Sequence, residues 1–170
     1  MTQIDRTLRV IREAVDIERF GYDFYNSLRQ QVTEPTGQVV LAFLAGLEVD
    51  HMVWLEREYM KQLKSLGAMN ENHIDGIQMS AKEEIFIVDK LPEMYRGTDM
   101  VKALEFAVQV EERSVRFYTQ AAKHSEEHDL KDMFQRLADF ELDHVKLLKY
   151  NISSLKKKGI WTSPEESKHA

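Results

Sequence analysis

The stretch "LAGLEVDHMVWL", residues 44–55, decides the fold of this chain. Its apolar residues recur at helical spacing and predict a helix that packs in a core. Glu48 and His51 lie three residues apart and therefore share a face of that helix. A buried carboxylate is costly without a compensating charge, and carboxylate and imidazole groups are both metal ligands. The stretch therefore raises the question of what these two side chains bind.

The same stretch has a second copy further along the chain. At an offset of 93 residues, "LAGLEVDH" (44–51) aligns with "LADFELDH" (137–144), with five of eight positions identical. At that offset "AVDIERFGYDFYNSL" (14–28) aligns with "AVQVEERSVRFYTQA" (107–121). Self-similarity at a fixed offset is the mark of an internal repeat. The chain therefore consists of two related halves.

Each half predicts a pair of helices. Only 3 prolines and 7 glycines occur, and long segments follow the 3.6-residue period. We expect a first helix over about 3–31, a second to about 66, a third over about 98–124 and a fourth to about 158. Thr33 is expected to cap the second helix, with Pro35 in its first turn, and Ser125 to cap the fourth. The predicted fold is an all-α four-helix bundle.

The bundle is predicted to contain two antiparallel hairpins, 3–66 and 98–158, joined by a long crossover, 67–97. A connection of this length is too long for a tight turn between neighbouring helices. We expect it to run back along the bundle, so that the second and third helices are parallel, and its apolar piece "IFIV" (85–88) to pack on them. Residues 1–160 form one domain in this interpretation, and 161–170 form a tail without a fifth helix.

Six positions shared by the two halves carry metal-binding side chains. They are Glu18 with Glu111, Glu48 with Glu141, and His51 with His144. In each half the first Glu precedes the Glu-x-x-His by 30 residues, which places it at the same height in an antiparallel hairpin. All six continue apolar stripes that lack Lys and Arg between them. Tyr22 is expected to follow Glu18 inward in the first helix, as Val115 follows Glu111 in the third.

Four inward carboxylates require a compensating positive charge, and two divalent metal ions would supply it. The alternatives are a solvated helix face, which is the usual meaning of a lone Glu-x-x-His, and a decayed duplication that keeps the residues without metal. The repeat, in phase with apolar stripes, favours the metal site.

Composition restricts the remaining classes of site and partner. The chain has no cysteine, so disulfides, cysteine-ligated zinc and iron–sulfur centres are excluded. Its formal net charge of -6 argues against nucleic acid or a membrane surface as a partner. No stretch of about 18 consecutive apolar residues and no signal-peptide core is evident, so we expect a cytoplasmic protein.

At these residues the chain resembles the ferritin-like di-iron carboxylate superfamily, and within it the rubrerythrin-like and bacterioferritin-like proteins. The resemblance covers about residues 4–157. In such bundles two helices each supply a Glu and the other two each supply a Glu-x-x-His. The resemblance implies one iron bound by Glu18 and His51, another bound by Glu111 and His144, and bridging by Glu48 and Glu141. Manganese remains an alternative to iron.

The activity implied by this resemblance is that of an oxidoreductase that reduces hydrogen peroxide or dioxygen in defence against oxidative stress. A ferroxidase or iron-storage protein is the alternative, and a non-redox structural or sensory bundle is a further one. We expect a homo-oligomer, with a dimer favoured. Tyr25 and Tyr118 match a tyrosine at this place in rubrerythrins and either hydrogen-bond a ligand carboxylate or are ordinary core residues.

Some positions depart from the patterns of these relatives. The rubredoxin module of rubrerythrins needs four cysteines, so here the electron donor is expected to be a separate molecule. Ser114 replaces an additional glutamate of the rubrerythrin third helix, and Val49 replaces the haem methionine of bacterioferritin, so no haem is expected. Asp50 and Asp143 precede the two histidines and either orient the imidazoles or lie on a solvated face.

Overall fold

Five helices and no strand make up the residues that the computed structural model describes, 3–65 and 100–167. They are α1 (Gln3–Arg29), α2 (Pro35–Ser65), α3 (Met100–His124), α4 (His128–Lys158) and α5 (Pro164–Ser167). The predicted all-α class is therefore confirmed. The predicted crossover 67–97 and its "IFIV" piece lie outside the described residues.

Contacts between side chains fix the direction of each helix. From Glu105 to Glu112 along α3, the paired lysine on α4 moves back from Lys156 to Lys149. The other neighbouring helix pairs are also antiparallel. Helix α1 contacts α2 through Arg12–Tyr59 and Glu18–His51, and it contacts α3 through Tyr25–Glu111 and Glu18–Tyr118. Helix α2 contacts α4 through Lys61–Asp129 and Trp54–Phe140. Since α2 and α3 both oppose α1, they are parallel to each other, as predicted.

Helix ends depend on local hydrogen bonds, and two predicted caps are wrong. The carboxylate of Glu34 accepts hydrogen bonds from the backbone N–H groups of Thr36 and Gly37, at 3.0 and 2.6 Å, so Glu34 rather than Thr33 caps α2. The hydroxyl of Ser125 donates instead to the Ala121 carbonyl, and Glu127 is the N-cap residue of α4 without a side-chain cap bond.

Gly159 ends α4 in the left-handed conformation, with φ 69°, and its N–H donates to the Leu155 carbonyl. The short helix α5 follows, although no fifth helix was expected after Trp161. Its signal is Ser163 with Glu166: the Glu166 carboxylate accepts from the Ser163 N–H at 3.0 Å, and the Ser163 hydroxyl accepts from the Glu166 N–H at 3.3 Å. This reciprocal pair is a capping box.

The bundle core consists of two apolar clusters, one on each side of the Glu and His layer. One cluster includes Phe24, Leu44, Leu104 and Leu148, and the other includes Ile11, Leu55, Phe134 and Leu137. On every helix the predicted metal-binding residues fall between the members of the two clusters. The polar layer is therefore closed above and below by packed apolar side chains.

The inward stripe of α1 differs from the prediction at one step. Tyr22, expected to face the core, is 38% exposed. The stripe passes from Glu18 through Gly21 to Tyr25, because the 3.6-residue period allows a step of three where we predicted a step of four. The same holds in α3, where Ser114 rather than Val115 is buried.

Helix α2 is long and apolar enough to cross a membrane by length and composition alone, with a mean hydropathy of 1.4 over its best window. A core helix of a soluble protein passes the same test. One face of α2, with Glu48 and His51, is buried in the bundle, as in a core helix. The expected absence of a membrane partner stays a prediction.

The tail after α4 is attached to α2 by one close contact. Trp161 is buried in the core, and a Cβ atom at Gly37 would lie 2.5 Å from its indole ring. The side chain of Asn151, itself fully buried, accepts a hydrogen bond from the Thr162 N–H. These contacts hold the tail against the start of α2 and the end of α4.

Replacing Trp161 by alanine should lower the free energy of unfolding by about 3–5 kcal/mol, because a buried aromatic ring is lost. Gly37→Ala should cost about 1–3 kcal/mol through overpacking. Urea denaturation measures both, and Ile160→Ala, at a 54% exposed neighbour, should change stability by less than about 0.5 kcal/mol. Equal effects of Trp161→Ala and Ile160→Ala would contradict the docking of the tail.

Candidate metal centre

All six predicted side chains are buried in one layer of the bundle. None of the six is more than 4% exposed; they are Glu18, Glu48, His51, Glu111, Glu141 and His144. Each comes from an inward position of α1, α2, α3 or α4 that continues an apolar stripe. The structure thus brings together every residue that the repeat singled out.

Side-chain donor atoms in this layer form two overlapping groups. In each group, one ligand atom from every residue lies within 4.8 Å of the others. The first group is Glu18, Glu48, His51 and Glu141, and the second is Glu48, Glu111, Glu141 and His144. Glu48 and Glu141 belong to both groups, which is the geometry required of bridging carboxylates.

The two histidines contact carboxylates from both hairpins. The Nδ1 atom of His51 lies 2.8 Å from Glu18 and 3.5 Å from Glu141 of the other hairpin. The Nδ1 atom of His144 lies 3.2 Å from Glu141 and 3.6 Å from Glu48. Each shared carboxylate therefore lies close to a histidine of the opposite hairpin, and the site is built only when the hairpins pack together.

Tyr25 and Tyr118 connect the hairpins in a reciprocal pattern. The Tyr25 hydroxyl of α1 donates a hydrogen bond to Glu111 of α3, and the Tyr118 hydroxyl of α3 donates to Glu18 of α1. Both tyrosines are almost fully buried. Each therefore holds one oxygen of a carboxylate that belongs to only one of the two groups.

Aromatic rings cover the layer on the α2 and α4 side. The imidazole of His51 stacks on His144, with ring centroids 5.5 Å apart, and on Phe140, at 5.3 Å. Phe140 is 44% exposed and also contacts Trp54, so it is the outermost ring of the stack. Its repeat-related position is Leu47, which has no ring, so the two histidines have different neighbours.

The donor set fits a metal cation. Several buried atoms have no hydrogen-bond partner: Oε1 of Glu48, both carboxylate oxygens of Glu141, and both ring nitrogens of His144. Among the described residues no Lys or Arg is buried that could compensate the carboxylates. Carboxylate oxygens and imidazole nitrogens without partners, close together and out of water, are the environment that a divalent cation satisfies.

Comparison with known proteins agrees with this geometry. Residues 102–170 match the Rubrerythrin family. The match confirms the resemblance to rubrerythrin-like proteins over most of α3, all of α4 and the tail. It includes Glu111, Glu141 and His144, and the internal repeat relates them to Glu18, Glu48 and His51. No curated protein and no solved structure matches the chain significantly.

The position at which this chain departs from rubrerythrins is buried but does not reach into the donor groups. Ser114 is 3% exposed, and its hydroxyl donates to the Val110 carbonyl of its own helix at 3.3 Å. A role of Asp50 and Asp143 in orienting the imidazoles is not supported, because both are exposed and Asp143 pairs with Lys146. A helical step of one residue turns them away from the inward histidines.

The buried carboxylates differ in acidity. Burial and the neighbouring carboxylates raise the pKa of Glu48 and of Glu111 well above the ordinary value. Burial and the charge of Glu18 also raise the pKa of Glu141. Burial acts on Glu18 too, but hydrogen bonds from His51 and other neighbours outweigh it and lower the pKa. In the metal-free layer Glu48 and Glu111 therefore hold their protons to higher pH than an exposed glutamate does.

The pKa values of the two histidines are shifted in opposite directions. Burial alone would lower the pKa of His51, but the neighbouring carboxylates of Glu141 and Glu18 raise it to about 10. Burial lowers the pKa of His144. In the metal-free protein His51 is thus protonated and His144 neutral at pH 7. A bound cation requires both imidazoles to be neutral, so its binding would release the proton of His51.

Stability of the metal-free protein should fall between about pH 7 and pH 10. A folded pKa of about 10 for His51, above 6.5, means that its contribution is fully present below pH 6.5 and is lost as the pH rises through 10. The raised pKa values of Glu48 and Glu111 act in the same direction. Urea midpoints measured with a chelator at the two pH values should show the fall.

Two comparisons make this experiment specific. His51→Gln should weaken the fall, whereas His128→Gln, at an exposed histidine, should not change it. Saturation with metal should abolish the part of the stability decrease that comes from the Glu and His layer, because the metal ligands are then deprotonated at both pH values. A metal-free protein whose stability is equal at both pH values would show that the layer is not protonated as described.

Proposed function

We propose that the protein is a di-iron oxidoreductase of rubrerythrin-like type that reduces hydrogen peroxide or dioxygen. The observation that carries the proposal is the sharing of Glu48 and Glu141 by two donor groups. Mixed carboxylate and imidazole ligation suits iron or manganese. Two divalent ions would balance four carboxylates, which supports two ions per chain rather than one.

In this proposal Glu18 and His51 would hold one ion, Glu111 and His144 would hold the other, and Glu48 and Glu141 would be shared by both. When bound, two ferrous ions supply the two electrons that reduce one molecule of hydrogen peroxide to two of water, with the uptake of two protons. The apolar clusters on both sides of the layer exclude bulk water from it. The chain has no cysteine, so the electrons that restore the ferrous state come from a separate donor.

The two tyrosines keep the carboxylates oriented. Burial and the charges of Glu111 and Glu18, respectively, raise the pKa of Tyr25 and of Tyr118 well above 10, so both hydroxyls stay protonated. A protonated hydroxyl donates its hydrogen to the ionised carboxylate oxygen that it contacts. In Glu18 the other oxygen, Oε2, faces His51 at 2.8 Å and is the one that would bind a cation.

Removing a shared carboxylate should remove metal from both groups. Purified protein loaded with ferrous iron without oxygen should contain about two ions per chain by elemental analysis, as expected for this bundle class. Glu48→Ala and Glu141→Ala should each reduce this number. Glu56→Ala, at an exposed glutamate of α2, is the matched control and should leave it unchanged. Retention of both ions in both bridge variants would exclude the proposed site.

The reaction itself is tested by mixing the ferrous protein with peroxide or with dioxygen and following the absorbance of ferric iron. Peroxidase activity predicts rapid oxidation with one peroxide consumed for two ferrous ions.

The alternative is a ferroxidase of the iron-storage type. It predicts faster reaction with dioxygen, continued uptake of iron beyond the site, and a large hollow assembly detectable by light scattering. Unreactive ferrous protein would favour a non-redox bundle.

Loss of one tyrosine hydroxyl should weaken metal binding without removing the site. Tyr118→Phe and Tyr25→Phe should each reduce metal affinity by roughly 10–100-fold, the usual effect of losing a hydrogen bond to a ligand. Titration with Mn²⁺ against a competing chelator measures the change. Tyr22→Phe, at a 38% exposed position of α1, is the control. Equal affinities for all three variants would show that Tyr25 and Tyr118 are ordinary core residues.

A further inference from the structure

A glycine occupies the inward position of α1 between Glu18 and Tyr25. Gly21 lies one helical turn after Glu18 and one turn before Tyr25. Glycine lowers helix stability relative to alanine, so a glycine in the middle of a long helix calls for a structural reason. Backbone conformation is not the reason, because Gly159 is the one glycine with positive φ among the described residues.

Space for the shared carboxylate is the reason that the structure supports. A Cβ atom at residue 21 would lie 2.7 Å from Oε1, 2.8 Å from Cδ and 3.2 Å from Cγ of Glu48. Distances below 3.0 Å are not tolerated between a Cβ atom and its neighbours, so Glu48 would have to move. The carboxylate of Glu48 therefore occupies the volume that any other residue at position 21 would fill.

Movement of the Glu48 carboxylate would disturb both donor groups, because it contacts a histidine of each. Its Oε1 lies 3.6 Å from Nδ1 of His144, and its Oε2 lies 3.7 Å from Nδ1 of His51. The side chain is 2% exposed and packed between the apolar clusters. A displacement by the size of a methyl group would change the distances of the carboxylate from both histidines.

We propose that Gly21 is a positioning residue that lets Glu48 bridge the two metal ions. The proposal rests on the proposed two-metal function. The repeat-related residue, Ser114, carries a Cβ atom and a hydroxyl directed to its own helix, so the two halves of the site are built differently. The first half uses the absence of a side chain to admit its bridging carboxylate.

The metal test uses Mn²⁺, whose paramagnetic resonance spectrum separates a coupled pair from isolated ions. The unsubstituted protein should bind two Mn²⁺ per chain and give the spectrum of a coupled pair. Gly21→Ala should lose the coupled spectrum and bind at least one ion tenfold more weakly. Gly46→Ala is the matched control, because it is a helical glycine with nothing within 4 Å of an added Cβ, and it should keep the coupled pair.

A second measurement needs no metal and separates the two proposals. In the metal-free protein, Gly21→Ala should lower the urea midpoint when Glu48 is present but raise it in a Glu48→Ala background, where the clash is removed and alanine favours the helix. The same sign in both backgrounds, or a coupled Mn²⁺ pair in Gly21→Ala, would overturn the role of Gly21. If the unsubstituted protein gives no coupled pair, the two-metal function fails, and the midpoints alone decide whether Gly21 makes room for Glu48.

Discussion

Four carboxylates in the core of a helical bundle are the constraint on which the rest of this structure depends. Burial of an ionised carboxylate costs several kcal/mol even after relaxation of its surroundings. Here no buried Lys or Arg of the described residues offsets that cost, and the one protonated histidine, His51, offsets it only in part. Without metal, Glu48 and Glu111 reduce that cost by holding their protons to higher pH than an exposed glutamate does. Packing above and below it keeps out the water that would otherwise solvate the charges.

The internal repeat explains how one chain satisfies this constraint twice. Each hairpin supplies a Glu and a Glu-x-x-His, but neither hairpin completes a donor group alone, because each group includes Glu48 from one hairpin and Glu141 from the other. The tyrosine hydroxyls also cross between hairpins, from Tyr25 to Glu111 and from Tyr118 to Glu18. Packing of the hairpins and assembly of the site are consequently one event.

The sequence predicts the residues of this layer because two independent patterns coincide there. Glu48 and Glu141 are in phase with apolar stripes and are repeated at a constant offset. The helix face that each occupies and its level along the bundle could therefore both be predicted. Helix ends could not be predicted equally well. Thr33 and Ser125 are residue types that favour caps, whereas the structure places Glu34 and Glu127 at these two helix starts. The prediction that Tyr22 faces the core was wrong, because steps of three and of four residues are both compatible with the helical period.

The two halves of the site are not equivalent, because a step of three residues in α1 and α3 brings different residues beside the donor groups. With the inward stripe passing through residues 21 and 114, the positions beside the donor groups are Gly21 and Ser114 rather than Tyr22 and Val115. Neither residue adds a carboxylate, so the layer contains four, a charge that two divalent ions balance. A glutamate at position 114, as the resemblance to rubrerythrins would place there, would add a fifth negative charge to a layer without a buried Lys or Arg. Because these two residues are small and uncharged, they add little side-chain volume and no negative charge to the layer. Its four carboxylates then carry a charge that two divalent ions can balance.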